Sequence, residues 1–338
     1  MNRKGKLTEN IDFTKNIRLF VLVGGILILL AAQCIHSPGI LKSGASAYNY
    51  LVKIVLAVGS TALIASGVTF VIISGNNDLS TGCMMQFAAS IACVVSSRCY
   101  GVVNDTSAAF AAILVPIAVC MLFGMINGIL VGVCGLNAFV TTLGMAYIIQ
   151  SVHVLFNGGG TVYPKNLPIF RFIGKGRIAD LIPFPIVFIT LVYLILGFLL
   201  HKTTIGRKVY AVGGNPAAAR FSGIDSKKIV VFVYMMSGLM SAVAGVFIAS
   251  YTESGDMLMG VGKEFDAIVA VVLGGALLTG GAGGMIGTVF GSLFLGVLAL
   301  FYVQFNVNIN VQWIIRGALM LGVILMNGFI DKKQGGKK

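Results

Sequence analysis

The chain is a succession of long apolar runs cut by short polar stretches, and this pattern limits its fold more than any motif does. Residues 17–35, 51–74, 79–97, 108–133, 137–156, 182–200, 229–250, 264–279, 285–304 and 310–330 are dominated by Leu, Ile, Val, Phe, Ala and Gly. A water-soluble core does not bury such runs one after another, whereas about 20 apolar residues in a helix match the hydrocarbon thickness of a bilayer. The runs do not alternate apolar with polar residues, which sets aside a transmembrane β-barrel. At 57% hydrophobic and only 10% charged, the composition has too few charges to cover a soluble surface. The expected fold is therefore all-α: a polytopic membrane protein of about ten transmembrane helices, with residues 1–338 forming one membrane domain.

The net charge of +13 is unevenly placed. It gathers in an N-terminal segment over 1–16 with Arg18 just beyond, in residues 201–228, and in a tail over 331–338. Excess Lys and Arg mark cytoplasmic segments of membrane proteins. An even count of ten spans puts both termini and the 201–228 segment on that same face. Topology thus accounts for the charge, and no nucleic-acid partner is expected. The 157–180 loop, with Lys165, Arg171, Lys175 and Arg177, falls outside in this scheme although it is basic, and residues 251–263, with Glu253 and Asp256, form a further outer loop.

The six cysteines form no C-x-x-C pair and lie almost entirely in apolar runs, so neither a disulfide framework nor a metal site is expected. His36, His153 and His201 are far apart, and no paired acids stand at catalytic spacing, so an embedded enzyme has no support. No Gly-rich stretch continues to Gly-Lys-Ser/Thr, so any nucleotide is handled by another chain.

Within 201–228 the local signals predict one short helix. Asn215 suits the N-cap because its side-chain oxygen can accept from a free amide of the first turn. Pro216 suits the first helical position, and Gly223 suits a left-handed close. Lys202, Arg207, Lys208, Arg220, Lys227 and Lys228 face a single acid, Asp225.

Charges inside the apolar runs are functional candidates by default: Asp78, Glu264, Asp266 and Arg316. Structural roles stay open for each. Asp78 suits the N-cap of the third span, Glu264 and Asp266 the first turn of the eighth, and Arg316 can snorkel. Gly280/Gly284, Gly283/Gly287 and Gly287/Gly291 have the spacing of close helix packing. Residues 75–82 and 274–281 echo one another at Gly, Leu, Ser/Thr and Gly, the kind of weak repeat found where transporter helices break.

The run Gly206-Arg207-Lys208-Val209-Tyr210-Ala211-Val212-Gly213-Gly214-Asn215-Pro216, with Ala218-Ala219-Arg220-Phe221-Ser222-Gly223-Ile224, resembles the coupling segment of permeases in bacterial sugar ABC importers. That family includes the ribose, xylose, arabinose and galactose permeases. Further resemblance lies in Gly67–Gly75 with Asp78-Leu79-Ser80 and Gly82, in Asn127-Gly128, in Phe139–Gly144 and in Glu264-Phe265-Asp266-Ala267-Ile268. Matching blocks cover residues 50 to 325. Asn76-Asn77 depart from the pair usual there. Tyr251-Thr252, Ser254-Gly255 and Gly260-Val261-Gly262 lean toward the galactofuranose-type permeases.

The resemblance implies a permease of the bacterial inner membrane with broken helices and a cytoplasmic coupling helix. It works with a second permease chain, an ABC ATPase subunit that binds ATP and Mg, and an extracytoplasmic sugar-binding protein. Coupling to the ATPase would fall to Arg207, Gly213, Gly214, Asn215, Pro216, Arg220 and Gly223. The substrate path would draw on Asn76, Asn77, Asp78, Asn127, Thr141, Thr142, Glu264 and Asp266. Docking of the binding protein would use Lys165, Arg171, Lys175, Arg177, Glu253 and Asp256. Permeases for branched-chain amino acids or nucleosides, and ion-coupled secondary transporters, are the alternatives. The last would need a set of mid-membrane carboxylates for ion coupling, which this sequence does not offer.

Overall fold

A computed structural model describes residues Arg3–Gly335. Lys337 and Lys338 of the expected cytoplasmic tail lie outside the described residues, as do the side chains of the basic N-terminal segment. The described chain is almost wholly helical. Its helices are α1 (Arg3–His36), α2 (Gly44–Ile73), α3 (Thr81–Cys99), α4 (Asp105–Gly132), α5 (Ala138–Asn157), α6 (Pro168–Lys175), α7 (Phe184–Lys202), α8 (Thr204–Gly214), α9 (Pro216–Phe221), α10 (Ser226–Thr252), α11 (Lys263–Leu273), α12 (Met285–Gln304) and α13 (Ile309–Gly335). Among the described residues seven of these, α2, α3, α4, α5, α7, α10 and α12, are long and apolar enough to cross a membrane. The protein is an all-α polytopic membrane protein.

Small residues decide which helices sit at the centre. α10 packs on α4, α2 and α3, and α2 also meets α12 and α11. Gly124, Gly128 and Gly132 of α4 follow one another at four-residue spacing and face the α10 backbone around Val231 and Tyr234 or the Val230 side chain. A Cβ at Gly128 would stand 2.6 Å from the Val231 Cα. This is the close approach that small-xxx-small faces permit, and dispersion contacts along it bind helices where water provides no drive. The expected pair Gly287/Gly291 does the same for α12, against Gly274 and Ala270 at the end of α11.

Hydrogen bonds and ring contacts sort the helix ends into two layers. At one end His36 stacks on Phe305 at 4.3 Å, and Gln304 donates to the Gln33 carbonyl. At the other end the last turn of α2, the 274–284 turn and α8 meet: the Gly281 amide donates to the Ile73 carbonyl at 2.8 Å, and Tyr210 donates to the Gly283 carbonyl at 2.8 Å. The echoing stretches 75–82 and 274–281 therefore begin at the same end, touching one another. A Cβ on Gly280 would lie 2.7 Å from the Gly75 Cα and 2.8 Å from the Gly213 carbonyl oxygen.

Four expectations change in detail. The apolar run 264–279 is helical only to Leu273, because Gly274-Gly275 end α11 and Gly275 has φ +96°. Residues 201–228 hold two helices rather than one. The 157–180 loop contains α6 and a two-residue hairpin pairing Arg177–Ile178 with Ile182–Pro183. Residues 251–263 do not stand free as an outer loop but lie along α3, with Gly255 against Ala89 and Ser90 and Gly260 against Gly82 and Gln86.

Candidate functional site

The helical path is interrupted after α2 and after α10, and the two interruptions meet. After Ile73 the chain leaves helix for seven residues and re-enters it at Thr81. Asp78 lies fully buried in that gap. It accepts from the Ser80 amide at 3.0 Å, the Ser80 hydroxyl at 2.6 Å and the Ser237 hydroxyl of α10 at 2.7 Å. Asp78 is not itself the N-cap residue of α3; Ser80 holds that place, and Asp78 binds it from behind. It takes part in no ion pair among the described residues.

Other candidates from the sequence complete this knot. Asn127 of α4 donates to the Ser80 hydroxyl at 3.0 Å, and Thr142 of α5 accepts from the Leu79 amide at 3.1 Å. Asn76 donates to the Ser74 hydroxyl, while Asn77 receives the Tyr234 hydroxyl on its carbonyl at 2.8 Å. Thr141 is partly buried, one position away from the contact that Thr142 makes. Asn77 Oδ1, Thr81 Oγ1 and Asn127 Oδ1 are buried without a partner among the described residues. Tyr234 and Ser237 went unsuspected in the sequence because nothing local marks partners 157 and 159 residues away.

The second break lies between α10 and α11. Glu264 and Asp266, grouped in the sequence, point to different neighbours, since two residues apart on a helix is a turn of about 200°. The Glu264 carboxylate crowds the space over Gly82 at the start of α3. Asp266 faces α13, where Arg316 stands 3.8 Å away. Lys263 donates to Thr61 of α2 at 3.1 Å.

The α8–α9 segment forms the exposed basic element. Thr203 caps α8 by accepting from the Gly206 amide at 3.3 Å. Val209 and Val212 are buried beneath it, and Gly206 and Gly213 leave no room for a Cβ against the carbonyls of Leu200 and Ile73. Gly214 lies beside Gly281. Asn215 accepts from the Ala218 amide at 3.0 Å, Pro216 opens α9, and Gly223 follows it at φ +77°. Arg207, Lys208 and Arg220 are exposed, and Phe221 is 93% exposed, an unusual position for a phenylalanine outside a lipid-facing surface. Asp225, which caps α10 through the amides of Lys227 and Lys228, is held below the usual carboxylate range chiefly by the Lys228 amide.

At the opposite end Glu253 bridges Arg171 and Lys175, 3.0 Å from each. Those pairs, the Lys175 hydrogen bond first, keep its carboxyl below the ordinary range. Asp256 accepts from Thr161 at 2.6 Å and from the Leu258 amide at 2.7 Å, which lowers it likewise. Two of the four basic residues expected to meet a partner thus already have an acid of their own chain. Lys165 and Arg177 are exposed, with Arg177 reaching only the Asp180 carbonyl.

The ribose import permease protein of Escherichia coli is 32% identical over 312 residues, covering 91% of this chain and 92% of that protein. The ribose import permease protein of Bacillus subtilis is 32% identical over 304 residues, 90% of each. The L-arabinose transport system permease protein AraH of Escherichia coli is 30% identical over 277 residues, 82% of each. No solved structure matches the chain. Residues 50–324 match the family model described as branched-chain amino acid transport system / permease component, and the chain belongs to that family of transport permeases.

Proposed function

We propose that the chain is the membrane-spanning subunit of an ATP-driven importer, and that it passes a monosaccharide from an external binding protein to the cytoplasm. The observation that carries this reading is the α8–α9 element: two capped helices, seated on backbone through Gly206 and Gly213, presenting Arg207, Arg220 and a bare Phe221. An isolated surface loop has no need of that anchoring. An ABC ATPase subunit, holding ATP and Mg, is the partner for it, with Phe221 as anchor and the arginines meeting acids. α9 is then the coupling helix.

In this reading ten segments cross the bacterial inner membrane: α1–α5, α7, α10, α11 with the 253–262 segment, α12 and α13. Both termini and α8–α9 are cytoplasmic, and the whole chain is one permease domain that pairs with a second permease chain. Glu264 and the unpartnered atoms of Asn77, Thr81 and Asn127 are polar groups suited to a polyhydroxylated solute. Lys165 and Arg177 receive the sugar-binding protein, together with the Arg171–Glu253–Lys175 bridge and Asp256. The ribose and arabinose permeases among the relatives support a sugar. The family description favours a branched-chain amino acid as the second reading.

Proteoliposomes holding the complex, with ATP inside, separate the two solutes. Labelled pentose is expected to accumulate and labelled leucine is not. Correctly inserted Arg220→Glu/Gly223→Val protein is expected to lose most solute-stimulated ATP hydrolysis. Uptake at the wild-type rate in that variant would remove the coupling role; uptake of leucine alone would remove the sugar.

A further inference from the structure

Between α2, α11, α12 and α13 lies a cavity of about 40 Å³ whose polar lining is Thr61, Lys263, Asp266, Tyr302 and Arg316. That is room for a few water-sized bodies and no more. Lys263 is committed to a neutral hydroxyl, Thr61 Oγ1. Arg316 approaches Asp266 only to 3.8 Å, longer than a charge-assisted hydrogen bond. One carboxylate therefore stands against two cations. Tyr302 is 3% exposed, and its buried hydroxyl has no partner among the described residues. An excess cation and an idle donor thus line one partly buried pocket, and a small anion placed there satisfies both.

We propose that this cavity is a binding site for one chloride-sized inorganic anion, held between Lys263 and Arg316 with the Tyr302 hydroxyl as a third donor. The anion neutralises the excess cation and ties α11, the half-length crossing, to α2, α12 and α13. The inference is independent of which solute the permease carries.

The chain supplies its own reporter. Its one tryptophan, Trp313, lies over the Arg316 guanidinium, 5.2 Å from the ring centroid. Bromide, a heavy-atom quencher, is titrated into the purified full-length protein in detergent, at constant ionic strength with gluconate. Trp313 fluorescence is expected to show a saturable quenching component with half-effect in about the millimolar range. Chloride competes it away. Tyr302→Phe, which keeps the ring and so the packing, is expected to raise the half-effect concentration about tenfold through loss of one bond to a charged group. Lys263→Met is expected to abolish it. Strictly linear quenching, indifferent to chloride and equal in wild type and Tyr302→Phe, overturns the site. If saturation emerges only after exhaustive delipidation, a lipid phosphate occupies the pocket and the inorganic anion is overturned.

Discussion

At the α2–α3 break one acid, Asp78, gathers three neutral donors and is fully buried. At the α10–α11 break the same task falls to ions, with Lys263 and Asp266 of α11 beside Arg316 of α13, and Glu264 turned toward α3. The first arrangement has short bonds that fix geometry, because each hydroxyl or amide has one place to go. The second has a long ion pair and partly exposed groups. Charged groups act at longer range and tolerate displacement, whereas neutral hydrogen bonds weaken steeply out of line. The first break is thus the fixed member of the pair and the second the adaptable one.

The largest expected effect tests the fixed break. Asp78→Leu strands the Ser80 amide and hydroxyl and the Ser237 hydroxyl, which should cost about 3–5 kcal/mol from several unsatisfied donors. Thermal melts in detergent measure it, with Asp78→Asn, which keeps one acceptor, losing less. If Asp266→Leu destabilises more than Asp78→Leu, the contrast is reversed. Next comes the seam between the breaks. Gly82→Ala places a methyl against the Glu264 carboxylate and the Gly260 carbonyl, and overpacking of this kind costs about 1–3 kcal/mol. Glu264→Ala should recover part of that loss only if the adaptable side yields; the double variant is the readout.

The smallest effect lies outside both breaks. Glu253 has a lowered folded pKa, so its contribution is present above the ordinary carboxylate value of about 4.3 and fades as pH falls through the folded value. Both pairs are exposed and screened, so the total is within about 1 kcal/mol. Wild type and Glu253→Gln should differ slightly in melting temperature at pH 7, and the gap should close in acid and in high salt. A gap that widens in acid would contradict the assignment.

The apolar runs made the membrane fold legible, since length and hydrophobicity are local properties. The caps of α9 were legible for the same reason: Asn215, Pro216 and Gly223 act within one turn of themselves. α8 was hidden because Gly206, Gly213 and Gly214 have low intrinsic helix propensity. They are instead helical residues at contacts where Gly206 and Gly213 have no space for a side chain. Polarity made 251–263 look like an outer loop, and only the α3 surface explains why Gly255 and Gly260 let it fold inward. Asp78 stood out as a charge inside an apolar run, while Asn127 and Thr142 entered only through the resemblance. Their convergence on Leu79 and Ser80 depends on packing across four helices, which spacing along the chain does not encode.

Gly75, Gly213 and Gly280 meet through main-chain atoms alone. A contact between side chains can slip by a change of rotamer; this one has no rotamer to change. The end of α2, helix α8 and the 274–284 turn therefore have no side-chain slack between them at this seam.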